Sequence, residues 1–561
     1  MFPLFKIRGN IRNIKRYLNI VRVLSSYGFD HILVMLGLSD LVAKSRRFLK
    51  RDNNVIERFS AAERMRLALE ELGPTFIKLG QILSTRPDVI PHAFVQEFEK
   101  LQDNVPCFAY NEVKAQIECE LGSSVESIFL EIETHALAAA SIAQVHRAVL
   151  LSGQAVAIKV RRPGVVELVE SDISALMGLA HLAERHIPSS ELYDPVGLVR
   201  EFARSIRREM DFTREGHTIE KFRDNFKDFP GMYFPEVYWE QTSRGILTME
   251  YIEGIKISDL DALNCGAYDR QLLAQRGADA FLEMVLKHGF FHGDPHPGNI
   301  LIMPDNVICL LDYGIVGRLD DELRTFLVDI LFAIVQRNMD EVVSLLFYAG
   351  DVPDTLNVRA LKHDLFNFID GYYEIPLQDV EVGRMLLEFI DIITMYNIRI
   401  QPDLMLLIKS LVVVEGMGRN LDPKFNMVEH LRPFMEKSLR QRYSPRRISK
   451  EFNSILFSYL NLARHLPRDL KEIINRINRN KFKIDVEHRG FDRLVTDIDR
   501  STNRLSSSLI LSALIIGSSI IMQTDKGPQL FGFPVLAFMG YTVAAVIGLW
   551  LVYAIIRSGR L

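Results

Sequence analysis

Apolar positions recur every three to four residues along most of this chain, which predicts a largely helical protein. AAERMRLALEEL at 61–72 and NEVKAQIECEL at 111–121 have the spacing of amphipathic helices, and residues 165–225 and 256–435 keep that period. The pattern becomes strand-like in three places. HRAVLLSGQAVAIKV at 146–160 predicts a hairpin that turns at Ser152 and Gly153. Residues 234–252 predict two short strands around Ser243–Gly245. NILIMPDNVICLLDYG at 299–314 predicts a second hairpin, with Pro304, Asp305 and Asn306 in its turn.

Two C-terminal segments read differently. Residues 505–522 and 534–556 carry no charge. As helices they would span ~27 and ~34 Å, against a hydrocarbon core of ~30 Å. A transmembrane helical hairpin is expected over 505–557, with its turn at Asp525–Pro528. Arg500 and Arg504 precede it, and Arg557 and Arg560 follow it. The positive-inside rule then places both flanks and the soluble body in the cytoplasm. Gly540, Ala544 and Gly548 form one small-residue stripe, and Ala513 and Gly517 another, of the kind that lets membrane helices approach closely.

Charge adds an asymmetry. The 561 residues have a net charge of −4, yet residues 1–51 hold eleven Lys/Arg against Asp30 and Asp40, and 437–489 hold fourteen against five acids. Basic ends of this kind attract anionic membrane surfaces or nucleic acid. No aromatic-rich basic motif accompanies them, and one flanks the apolar helices, so membrane lipid is the expected partner and nucleic acid is not. Cys107, Cys119, Cys265 and Cys309 lie far apart without a C-x-x-C pair. That excludes a disulfide scaffold and a cysteine zinc site.

The chemistry gathers in one constellation. In the strand VAIK at 156–159, Lys159 shares a face with Ala157 and can meet the phosphates of a nucleotide. HGDPHPGN at 292–299 places Asp294 five positions before Asn299, and Asp312 follows thirteen later. These separations match the catalytic and metal loops of protein kinases. Phosphoryl transfer needs a carboxylate near the attacking hydroxyl, here Asp294. It also needs an amide and a second carboxylate as hard ligands for Mg²⁺, here Asn299 and Asp312. Lys159 requires an acid in the cleft. Among Glu209, Asp211 and Glu215, Glu209 is the expected partner. Backbone near Glu250 and Tyr251 is expected to bond the adenine. His292 and His296 are expected to hold backbone rather than metal.

These residues resemble the UbiB/AarF (ABC1-type) atypical kinase-like family over about residues 60–435. Lys78, Gly80 and Gln81 match its K-x-G-Q signature, and Glu209 and Asp211 its E-x-D motif. Ala138, Ala139, Ala140, Ser141, Ile142, Ala143, Gln144 and Val145 match its alanine-rich nucleotide loop. Alanines where kinases use flexible glycines predict a stiffer, more helical loop. The resemblance implies an α+β, protein-kinase-like two-lobed domain with a helical N-terminal extension.

It also implies boundaries: a basic segment 1–60, the K-x-G-Q extension 61–130, an N-lobe 131–255, a C-lobe 256–435, a basic juxtamembrane region 436–504 and the hairpin 505–557. Lys78 and Gln81 would reach the cleft from the extension, form an ion-pair gate with Glu209 and Asp211, and occlude the site of a protein substrate. ATP or ADP with Mg²⁺ is the implied cofactor, and a bacterial inner membrane the implied location. The implied partners are an isoprenoid quinone precursor or quinone biosynthetic enzymes, and the implied role is ubiquinone biosynthesis. A small-molecule phosphotransferase of the aminoglycoside or choline kinase type, and a non-catalytic nucleotide-gated scaffold, stay open as alternatives.

Overall fold

The computed structural model describes residues 11–39, 41, 43, 59–84, 86, 89–101, 107–187, 194–266, 268–336, 338–349, 352, 356–373, 380–396, 398, 401–442, 491–523, 528–530 and 533–557. The expected juxtamembrane stretch 443–490 and the turn positions 525–527 lie outside them. The chain forms two compact units, 1–448 and 449–561.

In the first unit, an antiparallel sheet carries the upper lobe. Its strands are Phe129–Ile132, Ala138–Ala139, Ala143–Leu150, Ala155–Arg161 and Ile246–Glu250. Strand alternation separates its two faces. Val156, Ile158 and Val160 pack with Val113 and Ile117 of the helix Tyr110–Leu121. Ala157 points the other way, into the main core with Ile206 and Phe212. The hairpin expected at 146–160 is present, with Val145 opposite Lys159. The pair of strands expected at 234–252 is reduced to Ile246–Glu250, joined by a single bridge from Val237 to Met249. A 3₁₀ turn at Trp239–Gln241 occupies the place of the other strand.

The lower lobe is helical around a small sheet. Ile300–Met303 and Val307–Leu310 form the second expected hairpin, flanked by Met232–Tyr233 and Ile255–Lys256. Asp305 and Asn306 both take positive φ in its turn, a conformation that Asn and Asp adopt more readily than most residues. Phe290–His292 pairs with Val316–Arg318. Four further helices, Asp321–Val335, Met339–Ala349, Val358–Tyr373 and Val382–Met395, share a core around Val342, Leu361, Leu365 and Ile393.

The N-terminal extension is locally well specified. Ser60 and Glu63 form a reciprocal capping box on Ala61–Leu72. Gly73 takes φ +101° and Pro74 opens the next helix, Pro74–Leu83. The helix Ile11–Ser26 joins the same core through Tyr17, Ile20 and Val21, against Leu69, Leu72, Phe76 and Ala175. Its Arg16 pairs with the buried Asp172 on the helix Val165–His186, and donates to the carbonyl of Leu72 at 2.6 Å.

In the second unit, Phe491–Met522 and Val535–Arg557 form a helical hairpin closed by pairing of Leu530 with Phe533. Leu505–Met522 is long and apolar enough to cross a membrane, with mean hydropathy 2.0. The second apolar stretch, Val535–Trp550, is shorter among the described residues. Gly540 faces Ser518, Ala544 is buried, and Ser519 meets the Tyr541 hydroxyl at 2.6 Å. The Gly540 stripe thus lies at the helix contact. Gly517 has open space where a Cβ would stand, so the other stripe turns away from it.

Candidate active site

Lys159 projects from the cleft face of its strand. Its ammonium donates to both oxygens of Glu215 at 2.8 and 2.9 Å, and to Asp312 Oδ1 at 3.4 Å. Burial pulls the lysine down, but the Asp312 and Glu215 charges outweigh it and hold it above its ordinary value. The same charge holds Asp312 well below the usual carboxylate range, against the opposing effect of burial. Burial raises the Glu215 carboxyl. Lys159 is therefore cationic and Asp312 anionic before any ligand arrives.

The HGDPHPGN segment is held through its backbone. Buried His292 accepts a hydrogen bond from the Asp294 amide at 3.1 Å through Nδ1, and donates through Nε2 to the Asp312 carbonyl. Burial lowers its pKa, so a neutral ring serves both bonds. His296 accepts from the Gly298 amide at 3.1 Å. Both histidines hold backbone. The hairpin joins Asn299 to the strand beside Asp312, with the Leu311 amide donating to the Asn299 carbonyl at 2.9 Å. Among the described residues, the side chains of Asp294 and Asn299 make no hydrogen bond. Tyr313 is buried; its hydroxyl donates to Leu310, and its amide to Glu215 at 3.4 Å.

Lys78 extends from Pro74–Leu83 to Glu209 at 2.6 Å, with both side chains largely shut from water. Its charge also lowers Asp312. Gly80 lets this helix approach its neighbours: a Cβ there would stand 2.2 Å from Leu101 and 2.9 Å from Leu69. A cavity of about 40 Å³ lies behind the strand Phe290–His292, lined by Phe281, Met284, Pro295 and Met417 among others. Its walls are apolar, so it is no place for phosphates.

Residues 100–346 match the ABC1 atypical kinase-like domain, 365–426 the UbiB helical domain and 489–557 the ABC1/UbiB kinase-like C-terminal domain. A Clostridium pasteurianum protein, "Uncharacterized protein in hydrogenase 1 5'region", is 32% identical across 98% of this chain and 100% of its own. "Probable protein kinase UbiB" of Marinobacter nauticus is 32% identical across 85% of this chain and 88% of its own. Its namesake from Cellvibrio japonicus is 36% identical across 78% and 79%. The chain belongs to the ABC1/UbiB atypical kinase-like family. A Mycobacterium tuberculosis protein solved with erythromycin covers 66% of the chain at 21% identity and TM-score 0.46.

In this ABC1/UbiB chain several expectations need correction. The acid on Lys159 is Glu215, not Glu209. Glu215 shares the buried stripe of Phe212–Asn225 with Phe212, Ile219 and Phe222. An acid on an apolar face needs a buried cation, and that was the signal in the sequence. Glu209 ends the preceding helix and faces Lys78 instead. Asp211 does not join that pair; it accepts from Thr213 at 2.6 Å and lies near Arg214 and Arg244. Gln81 donates to the Leu101 carbonyl at 3.2 Å, tying the extension to itself.

The alanine-rich loop is not helical. Ala138–Ala139 pairs with Val145 and Gln144, and the Ala140 amide donates to Ala143 at 2.8 Å, so the loop is a tight hairpin. Neighbouring strands supply the partners that a helix would otherwise need. Gln144 is withdrawn from the cleft. It accepts from the Phe108 amide at 2.9 Å and donates to His146 at 2.8 Å, whose other nitrogen bonds the Glu133 carbonyl. At the hinge, the Glu250 and Tyr251 amides are already committed, to Glu236 and Ala155, and the Glu250 side chain accepts from Tyr233 at 2.7 Å. The first uncommitted amides among the described residues belong to Ile252 and Glu253.

Proposed function

We propose that this chain is a membrane-anchored atypical kinase or ATPase that binds Mg-ATP between the lobes and supports ubiquinone or related isoprenoid-quinone biosynthesis. The single observation that carries the reading is the cleft triad of Lys159, Glu215 and Asp312 beside the uncommitted side chains of Asp294 and Asn299. The name shared by the Marinobacter and Cellvibrio relatives supports the quinone pathway.

The residues fit the cofactor. Among the described residues no cluster of three acidic, His or Cys ligands forms a closed cage. Mg²⁺ needs none, because it takes one or two protein oxygens and the remainder from phosphates and water. Asp312 is half open to the cleft and spends Oδ1 on Lys159 and the Gly314 amide, which leaves Oδ2 for the ion. Asn299 supplies the second oxygen. Bound there, the metal neutralises phosphate charge.

The chain's own groups do the rest. Lys159 holds the α- and β-phosphates. The Ser141 hydroxyl, buried and without a partner, is the donor that the hairpin loop offers to an anion. Ile252 and Glu253 offer amides to the adenine edge. Asp294 accepts the proton of the attacking water or hydroxyl. The Lys78 helix, fastened at Glu209, would restrict the acceptor to a small group rather than a protein segment. Phosphate release by the full chain, with and without vesicles carrying a quinone precursor, tests this. Asp294→Asn should retain nucleotide and lose turnover; release at the unaltered rate would refute the assignment.

A further inference from the structure

The helix Ile11–Ser26 has two unlike faces. Tyr17, Ile20, Val21 and Val23 are buried in the extension's core. Lys15, Leu18, Asn19 and Arg22 stand on the opposite stripe, exposed. The next helix, Asp30–Met35, buries Leu33 and turns Ile32, Val34 and Met35 to solvent at 43, 51 and 45%. Lys15 and Arg22 have no acidic partner among the described residues. Of the two acids within residues 1–51, Asp30 is already bonded to Ser25. Among the described residues, these two consecutive helices thus expose apolar side chains together with two cations that no acid answers.

We propose that this face lies on an anionic bilayer, as a second membrane contact separate from the apolar C-terminal helices. Charge complementarity selects the occupant. An interfacial surface needs apolar side chains to enter the headgroup boundary and cations to meet anionic lipid, and both are present here. The chain's own candidate span keeps a bilayer at high local concentration, so modest intrinsic affinity suffices. Arg16 fastens the helix to Asp172 and to the Leu72 carbonyl, so a bilayer load at Leu18 is borne by the folded extension.

The test uses the full chain reconstituted through its own C-terminal segment. Met35→Trp adds one emitter to Trp239 and Trp550, and the parent protein's emission is subtracted. Residues inserted at the headgroup boundary lie ~5–10 Å deep, so brominated lipid should quench the added emission roughly twofold or more in vesicles with about a quarter phosphatidylglycerol. Pure phosphatidylcholine should quench it far less. Lys15→Gln with Arg22→Gln should weaken the contact roughly thirtyfold, at the usual worth of a basic residue near such a surface. Tyr348→Trp, on an exposed position of another helix, should stay unquenched.

An unquenched position 35 with quenched Trp550 overturns the surface contact alone. Quenching at position 35 with unquenched Trp550 supports it and refutes the C-terminal anchor. Equal quenching at position 348, or blue-shifted but unquenched emission at 35 in detergent and vesicles alike, also overturns the proposal. The second result would mean that another part of the chain covers this face.

Discussion

Lys78 and Glu209 meet at 2.6 Å, an ion pair that joins the N-terminal extension to the helix entering the kinase-like core. Neither side chain has much access to water, so removing either one deletes a charge-assisted contact away from solvent. Lys78→Ala and Glu209→Ala should each cost about 2 kcal/mol, and the double variant clearly less than their sum. Denaturant midpoints of the four proteins check this. Nucleotide affinity read on the same cycle should show coupling above ~0.5 kcal/mol.

Asp312 should shape the acid limb of stability. Lys159 holds its folded pKa well below the ordinary value, while the unfolded chain takes up that proton near pH ~4. Its contribution is therefore complete above that pH and drains away as pH falls toward the folded value. Asp312→Asn should shrink the stability gap between neutral pH and pH ~3.5 by roughly 1 kcal/mol; half-exposure keeps the figure modest. It should also abolish Mg-dependent nucleotide binding.

His292 titrates with the same sign by another route. Burial depresses its folded pKa below the ordinary ~6.5, so stability is full above that value and falls as protons are forced onto the ring. His292→Phe removes the titration and leaves the Asp294 amide and Asp312 carbonyl unsatisfied. It should cost about 1–3 kcal/mol at neutral pH and flatten the loss between pH ~7 and ~5. Turnover should fall more than nucleotide affinity, because the catalytic backbone loses its clasp.

Gly80→Ala presses a methyl into Leu101 and Leu69. Both contacts are ends of flexible side chains, so the penalty should stay at about 1–3 kcal/mol, with the Lys78 helix displaced. Leu101→Ala in the same chain should restore part of the midpoint. Failure to rescue would place the strain elsewhere.

Both termini of the C-terminal hairpin are expected on the cytoplasmic side. A cysteine in place of Gly527 should react with an impermeant thiol reagent from outside intact cells. The natural exposed cysteines 107, 119 and 265 should react only after lysis. Reaction at 527 only after lysis would mean that the segment does not cross.

Much of this architecture is written locally. The two hairpins follow from period-two runs interrupted by Ser-Gly and Pro-Asp-Asn, and the capping box at Ser60 announces its helix. Asn299 and Asp312 are legible together because one hairpin fixes their spacing, and Asp294 because it lies five positions before Asn299. Contacts between distant segments are not legible this way. Glu215 and Glu209 differ only in which stripe of which helix they occupy, and pairing waits on how two helices pack. The alanine loop misled for a related reason: its helical propensity is overridden by the strand beside it. Arg16 finding Asp172 leaves no mark in either neighbourhood.

Lys78 and Lys159 are answered by acids on two consecutive helices. Glu209 terminates Pro195–Glu209, Glu215 sits in the first turn of Phe212–Asn225, and extended Asp211 lies between them. Exchanging Glu215 removes the partner of Lys159 and leaves the Lys78–Glu209 pair in place, and the reverse exchange leaves the Lys159–Glu215 pair in place. The extension and the cleft lysine are thus held by two separate ion pairs rather than by one shared network. Sequence change at Glu209 can therefore alter how firmly the extension is fastened while the Lys159–Glu215 pair stays intact.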